Sequence, residues 1–166
     1  CCGAISIFEH NLESTIKKLA ELGKPLLIIH GNHEREELLK KACAKYKNVE
    51  FLHKKIKKIS DFAFVGYGGG GFSRIDEGFE QFVRNITKKI KKEKLKLLTH
   101  GPPYGTKLDY IYQHHAGCTS YRKFILKIKN IILAVSGHLH ETTGAKDRLN
   151  NALLLNPGPF GTVIET

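Results

Sequence analysis

Polar, metal-binding types of side chain follow three apolar runs of this 166-residue chain. The runs are residues 26–29, 95–98 and 131–135, and each is short and uninterrupted, as is typical of a strand buried on both faces. The clusters behind them are His30-Gly31-Asn32-His33-Glu34, His100-Gly101 and His138-Leu139-His140. Because ligands of open α/β sheets bind at the carboxyl ends of strands, we expect these clusters to converge on one site.

His138 and His140 predict that this site holds metal. In an extended chain, side chains two residues apart point the same way and lie about 6.5 to 7 Å apart. Two such imidazoles can each reach one of two ions that are about 3.5 to 4 Å apart. Histidine is the commonest metal-ligating side chain, and the oxygen of Asn32 adds a neutral ligand. An isolated pair of this kind is more often a hydrogen-bonded strand end, but three clusters at three strand ends favour a metal site.

The apolar periodicity predicts alternating helices and strands. Helices are expected from Asn11 to Gly23, over the apolar positions of residues 38–46 and 79–90, and over residues 119–129. Besides the three runs above, strands are expected at residues 49–52, 55–59, 62–67, 152–155 and 162–165. This order predicts a layered α/β fold, with residues 1–166 forming a single domain.

Four motifs in order resemble the signatures of the calcineurin-like metallophosphoesterases. They are Gly31-Asn32-His33-Glu34, His100-Gly101-Pro102-Pro103, Gly137-His138-Leu139-His140 and Asn156-Pro157-Gly158. The stretch from His115 to Ser120 is similar to the small prokaryotic members. The resemblance implies a four-layer α/β/β/α sandwich of two mixed sheets. It also implies a centre of two divalent ions that hydrolyses phosphomonoesters or phosphodiesters through a metal-activated hydroxide.

The same resemblance implies roles for individual residues. Asn32, His100 and His138 would bind one metal, and His140 would bind the other. His33 would be catalytic, donating a hydrogen bond or proton to the developing charge, and Glu34 would orient it. Independently of the resemblance, His115 lies in the long loop close to the expected site and is a candidate for substrate contact. Mn²⁺ is the favoured metal, and Fe, Ni, Zn and Co suit the same ligands.

Two acidic signatures of that family do not occur in their usual places. The chain has no Asp-x-His motif at its start, and Ala4 stands where the family has the Asp of Gly-Asp, the carboxylate that bridges both metals. Without carboxylates, two adjacent cations would repel each other. The start at Cys1, with no Met, predicts an upstream segment that carries the missing ligands. A natural or engineered loss of the bridging ligand at Ala4 is favoured together with that segment, and misalignment of Gly3-Ala4 is the alternative.

Charge and composition leave further functions open. The net charge of +11 is compatible with a nuclease or nucleic-acid-binding protein, although Lys runs such as residues 54–58 and 88–92 are typical of a solvated face. Loss of the Asp at position 4 would suit a protein-binding scaffold. Four cysteines without zinc-site spacing indicate a reduced, cytoplasmic protein, and no apolar run is long enough for a membrane helix. Abundant Lys and Ile suit a thermophile, and the sequence carries no signature of oligomeric state.

Several residues outside the motifs have ordinary explanations. His10, His30 and His53 are expected to be surface or strand-end histidines. The run Gly68 to Gly71 is expected to form a tight turn that could line the pocket.

Overall fold

A computed structural model describes residues 1–6, 10–90 and 93–165. In this part of the chain the helices are α1 (Leu12–Glu21), α2 (Glu36–Cys43), α3 (Glu77–Ile86) and α4 (Thr119–Lys127). The strands are β1 (Leu26–Ile28), β2 (Val49–Phe51), β3 (Lys55–Ile59), β4 (Phe62–Tyr67), β5 (Lys94–Thr99), β6 (Tyr110–Ile111), β7 (His114–His115), β8 (Ile131–Val135), β9 (Lys146–Leu149) and β10 (Ala152–Leu155). Two short 3-10 turns cover Thr87–Lys89 and His140–Thr142.

The larger sheet is mixed and brings two of the predicted clusters together. Its strand order is β3-β4-β5-β8-β10-β9, with parallel pairing in the centre and antiparallel pairing at both edges. Leu98 of β5 pairs with Val135 of β8, and beyond the strands Gly137 donates its N–H to the carbonyl of His100 at 2.9 Å. His100 and His138 therefore emerge side by side. Strands β1 and β2 form a separate parallel pair, and β6 and β7 form a small hairpin.

Three apolar clusters define the layers. The first packs α3 and α4 on one face of the larger sheet. The second packs α1 and α2 on the β1-β2 pair, with Ile16 and Leu39 fully buried. The third contains Ile29, Leu52 and Leu98 and joins the two sheets. Side chains alternate between the two faces of a strand. Ile28 of β1 therefore packs against the helices, whereas Leu27 and Ile29 on either side of it face the other sheet. The order of layers is α/β/β/α, as the sequence predicts.

Most predicted elements are confirmed, with corrections at the ends. The strand predicted at residues 162–165 is wrong, because residues 161–165 have no regular structure. The third helix stops at Ile86 instead of continuing to Ile90. Lys91 and Lys92 of the second Lys run lie outside the described residues. Among the described residues, the smaller of the two packed sheets has two strands, and no helix is long and apolar enough to cross a membrane.

Candidate metal centre

His100 is the fully buried histidine of the predicted site. Its side chain, just beyond β5, has no exposed surface. The Nδ1 atom lies 2.7 Å from the carbonyl oxygen of Cys2, and Nε2 lies 2.7 Å from Oδ1 of Asn32. A carbonyl only accepts, so Nδ1 carries the hydrogen and Nε2 of the neutral ring presents a lone pair. Burial lowers the pKa of His100, which favours that neutral ring.

The contact between His100 and Asn32 then joins two acceptors. It is attractive if a cation shares the two lone pairs, or if the Asn32 amide presents its N–H instead of its oxygen. Asn32 itself is exposed, so an ion at this point would remain open to solvent and to substrate. An open coordination position is what distinguishes a catalytic metal site from a closed structural one.

His138 completes the group of three predicted ligands to the first ion. Its ring centroid is 4.9 Å from that of His100. Its Nε2 atom is buried and has no hydrogen-bond partner within the described part of the chain. Burial, reinforced by the nearby His100, lowers the pKa of His138 to about 4, so the ring is a neutral donor at pH 7. Its φ of +67° is a left-handed conformation that costs about 1 to 2 kcal/mol for a non-glycine residue.

Close approach of three backbone segments shapes this site. A Cβ added at Gly31 would lie 2.5 Å from the Ala4 nitrogen and 2.8 Å from Cε1 of His100, so only glycine fits. At Gly71, with φ of +50°, a Cβ would lie 3.8 Å from Cε1 of His138. The glycine run, for which the sequence predicts a turn that lines the pocket, therefore borders Asn32 and His138 at Gly71.

Ala4 lies at the edge of the centre, which is where the family resemblance places the missing carboxylate. Its backbone has φ of +55° and packs against Gly31. The N–H of Ala4 donates to Oε2 of Glu34 at 2.9 Å. A methyl group at this position supplies no ligand and no negative charge.

Glu34 fixes the same backbone segments. Oε2 accepts hydrogen bonds from the N–H groups of Ala4 and Gly31, the latter at 2.8 Å. Oε1 accepts from the backbone N–H and the hydroxyl of Ser6, at 3.0 and 3.2 Å. The carboxylate is buried and holds the N-terminal segment against the loop that carries Asn32. Orientation of His33 by Glu34 stays a prediction.

His33 and His140 lie within electrostatic range of the buried pair. Both contribute to lowering the pKa of His100 and of His138. His33 is half-buried and His140 is exposed. The structure therefore groups Asn32, His100 and His138 and places His33 and His140 in their vicinity. The roles of these residues as ligands and catalytic group stay predictions. It places His115 in β7, on the loop between His100 and α4.

The donor set fits one divalent ion of borderline type. Imidazole nitrogens and an amide oxygen suit Mn, Fe, Co, Ni or Zn. Each of these donors is neutral, so a single ion meets no repulsion from them. A second ion at His140 would stand beside the first without a bridging carboxylate from position 4.

A second group with metal-ligand spacing was missed at the sequence level. Donor atoms of His30, Glu36 and His53 lie within 4.8 Å of one another, close enough to hold one ion. No spacing rule could have found them, because the three residues come from separate segments. However, His53 Nδ1 accepts the Gly68 N–H at 2.8 Å, which puts the ring hydrogen of neutral His53 on Nε2. That nitrogen lies 3.5 Å from Oε2 of Glu36. In this state His53 is a hydrogen-bond partner and not a ligand.

Comparisons with known proteins identify the family of this chain. A model of the calcineurin-like phosphoesterase family matches residues 6–142. The uncharacterized protein MJ1162 of Methanocaldococcus jannaschii is 32% identical over 171 residues, which cover 95% of this chain and 75% of that protein. The chain therefore belongs to the calcineurin-like phosphoesterase family, a family of metal-dependent phosphoester hydrolases.

Solved structures show the same fold. The crystal structure of TT1561 of Thermus thermophilus is 14% identical, with a TM-score of 0.69, covering 93% of this chain and 71% of that chain. Another crystal structure is 20% identical, with a TM-score of 0.75. It is matched over 90% of this chain, which spans only 63% of that protein's length.

Proposed function

We propose that this chain, as one domain, is a metal-dependent phosphoesterase acting on phosphomonoesters or phosphodiesters. The observation that carries the proposal is the convergence of Asn32, His100 and His138, with the acceptor atom of His138 buried and unpartnered among the described residues. Membership of the family supports the same reaction class.

The bound metal, Mn²⁺ in this proposal, would supply Lewis-acid stabilisation of the phosphate and a hydroxide nucleophile at neutral pH. Asn32, His100 and His138 would hold the first ion, and His140 would contribute to the second. The Cys2 carbonyl keeps the hydrogen of His100 on Nδ1 and so leaves Nε2 available as a ligand.

His33 is proposed to donate a hydrogen bond or proton to the phosphate oxygens as negative charge develops. It follows Asn32 directly, so a phosphate bound at the metal lies within reach of its ring. Removing a general acid of this kind typically lowers a rate by about 10²- to 10⁴-fold.

The experiment combines metal binding with turnover. Metal-stripped protein is titrated with Mn²⁺ by calorimetry, and hydrolysis of 4-nitrophenyl phosphate and of its bis ester is then followed. His33→Ala is expected to bind Mn²⁺ like the wild type and to lose turnover, whereas His114→Ala, a change of an exposed histidine, keeps both. Equal turnover of wild type and His33→Ala would refute the assigned role.

A catalytically impaired scaffold is the second candidate, and Ala4 is the observation that favours it. With a methyl group at the edge of the centre, the described donors would suit one ion and would leave a second without a bridging ligand. Two tight Mn²⁺ sites per chain with multiple turnovers would exclude this alternative. One weak site without turnover would support it.

A further inference from the structure

Asp109 is a buried carboxylate that the proposed metal centre does not use. Its side chain has no exposed surface. Oδ2 accepts the N–H groups of Gly105 and Gly117 at 3.0 and 2.9 Å. Oδ1 accepts the N–H of Thr106 at 2.7 Å and lies 2.9 Å from Nδ1 of His115. Sequence reasoning singled out His115 but gave no signal for Asp109, because these partners assemble only when the loop folds.

This arrangement fixes the hydrogen of the His115 ring. A carboxylate only accepts, so Nδ1 of His115 is the donor and Nε2 is the atom available to another molecule. The backbone donors around Asp109 hold the carboxylate itself in one place.

His115 does line a cavity, with a volume of about 370 Å³. The other lining residues are Gly105, Thr106, Lys107, Tyr110 and Asp147. The volume is at the lower end of the range of small-molecule sites, roughly 300 to 1,000 Å³. The cavity is open to solvent and has room for one ring system.

The cavity is connected to the candidate metal centre through the loop that carries it. Its loop begins immediately after His100, and the carbonyl of Leu108 accepts the Thr142 hydroxyl at 2.8 Å in the turn that starts at His140. On another side, Arg74 donates to the carbonyl of His115 at 3.1 Å. Arg74 follows Phe72, whose ring centroid is 4.4 Å from that of His138.

The lining residues provide an aromatic ring, hydrogen-bond donors and acceptors, and side chains of both charges. The Tyr110 side chain is 53% exposed, and its ring centroid lies 5.0 Å from that of His115. Lys107 adds a cation and Asp147 an anion. A ligand that matches this set has a planar ring to stack on tyrosine and both donors and acceptors on its edge. Nucleobases have this chemistry.

We propose that this cavity binds a nucleobase, with Tyr110 as stacking partner and His115 Nε2 as hydrogen-bond partner. Asp109 acts as the positioning residue that sets the orientation of His115. The base would belong to the alcohol portion of the phosphate ester, a statement that rests on the proposed function. Base binding itself does not require catalysis.

The test therefore uses ligands without phosphate. Adenosine and uridine are titrated into the full, metal-free chain and followed by two-dimensional NMR of backbone amides. Saturable shifts are expected in residues 104–117. Tyr110→Ala is expected to weaken binding about 5- to 150-fold, the usual effect of losing one stacking contact. His115→Ala should weaken binding as well, and His115→Gln should recover part of the loss.

His114→Ala is the matched control, since His114 is an exposed neighbour that does not line the cavity. Its affinity should equal that of the wild type. Absence of saturable shifts in the wild type, or equal affinities for wild type, Tyr110→Ala and His115→Ala, would overturn the proposal. Asp109→Asn adds a separate readout, because the ¹⁵N shifts of the His115 ring should report loss of the fixed Nδ1–H form. Unchanged ring shifts in that variant would refute the positioning role.

Failure of the two proposals can be told apart. Nucleoside binding without phosphoester hydrolysis would support the proposed base site and refute the proposed phosphoesterase activity. The opposite result would be hydrolysis of adenosine 5'-monophosphate no faster than that of ribose 5-phosphate, without nucleoside binding. It would refute the proposed base site and leave the proposed phosphoesterase activity standing.

Discussion

Replacing Glu34 is expected to destabilise the protein strongly, although Glu34 is not itself a proposed metal ligand. Its carboxylate is 5% exposed and accepts the backbone N–H groups of Ala4, Ser6 and Gly31. A buried donor left without an acceptor costs about 1 to 3 kcal/mol. Because the three donors share one carboxylate and their effects are not additive, we expect Glu34→Ala to lower the free energy of unfolding by about 3 to 6 kcal/mol.

Glu34→Gln keeps the size of the side chain while it removes the negative charge and one acceptor oxygen. Each carboxylate oxygen accepts two hydrogen bonds, so the amide of Gln would turn its NH₂ toward two donors. A loss of about 2 to 4 kcal/mol follows from two unsatisfied donors. Native domains are stable by only about 5 to 15 kcal/mol, so either variant is near the threshold of unfolding at 25 °C.

Urea unfolding followed by circular dichroism measures the effect. With an m-value of about 2 kcal/mol/M, the midpoint of Glu34→Gln should fall by about 1 to 2 M at unchanged m. Glu37→Gln, on the exposed side of α2, is the control and should change stability by less than about 0.5 kcal/mol. Equal midpoints for Glu34→Gln and Glu37→Gln would show that the buried carboxylate does not fasten the N-terminal segment.

Three further predictions concern metal, pH and charge. Ala4→Asp should raise Mn²⁺ affinity about 10-fold or more in calorimetry, because it places a carboxylate beside Gly31 and because Asp tolerates the left-handed φ of +55° better than Ala. Ala4→Asn lacks the charge and should gain less affinity. Equal affinities of Ala4→Asp and wild type would contradict the alignment of Gly3-Ala4. Burial and the nearby His30 lower the pKa of His53 from 6.5 to about 3. The unfolded chain therefore takes up a proton that folded His53 does not, and stability should fall as pH decreases from about 6.5 towards 3. The urea midpoint of a His53→Phe variant should fall less steeply with pH, and an identical slope would show that His53 is not the cause of the pH dependence. If the net charge of +11 serves nucleic-acid binding, the affinity for single-stranded RNA should drop steeply between 50 and 200 mM salt, whereas weak, salt-independent binding would exclude that partner.

The correct part of the sequence reasoning came from short-range patterns. The apolar runs before His100 and His138 predict parallel strands, and strand ends at one edge of a sheet are necessarily close. The closeness of His100 and His138 was therefore predictable. Asn32 follows β1 of the smaller sheet, so its contact with His100 depends on how the two sheets pack. The strand predicted at residues 162–165 failed because strand propensity has no effect without a neighbouring strand to pair with.

The sequence by itself determined the order of helices and strands, the positions of the histidine clusters and the family, because these depend on residues near one another in the chain. Only the tertiary structure decided the partners of Glu34 and Asp109 and the grouping of His30, Glu36 and His53. Ala4 and Glu34 are 30 positions apart, and Gly117 reaches Asp109 from across a loop. Such contacts are set by how layers pack and where backbone donors become buried, and a one-dimensional pattern of residue types does not contain that information.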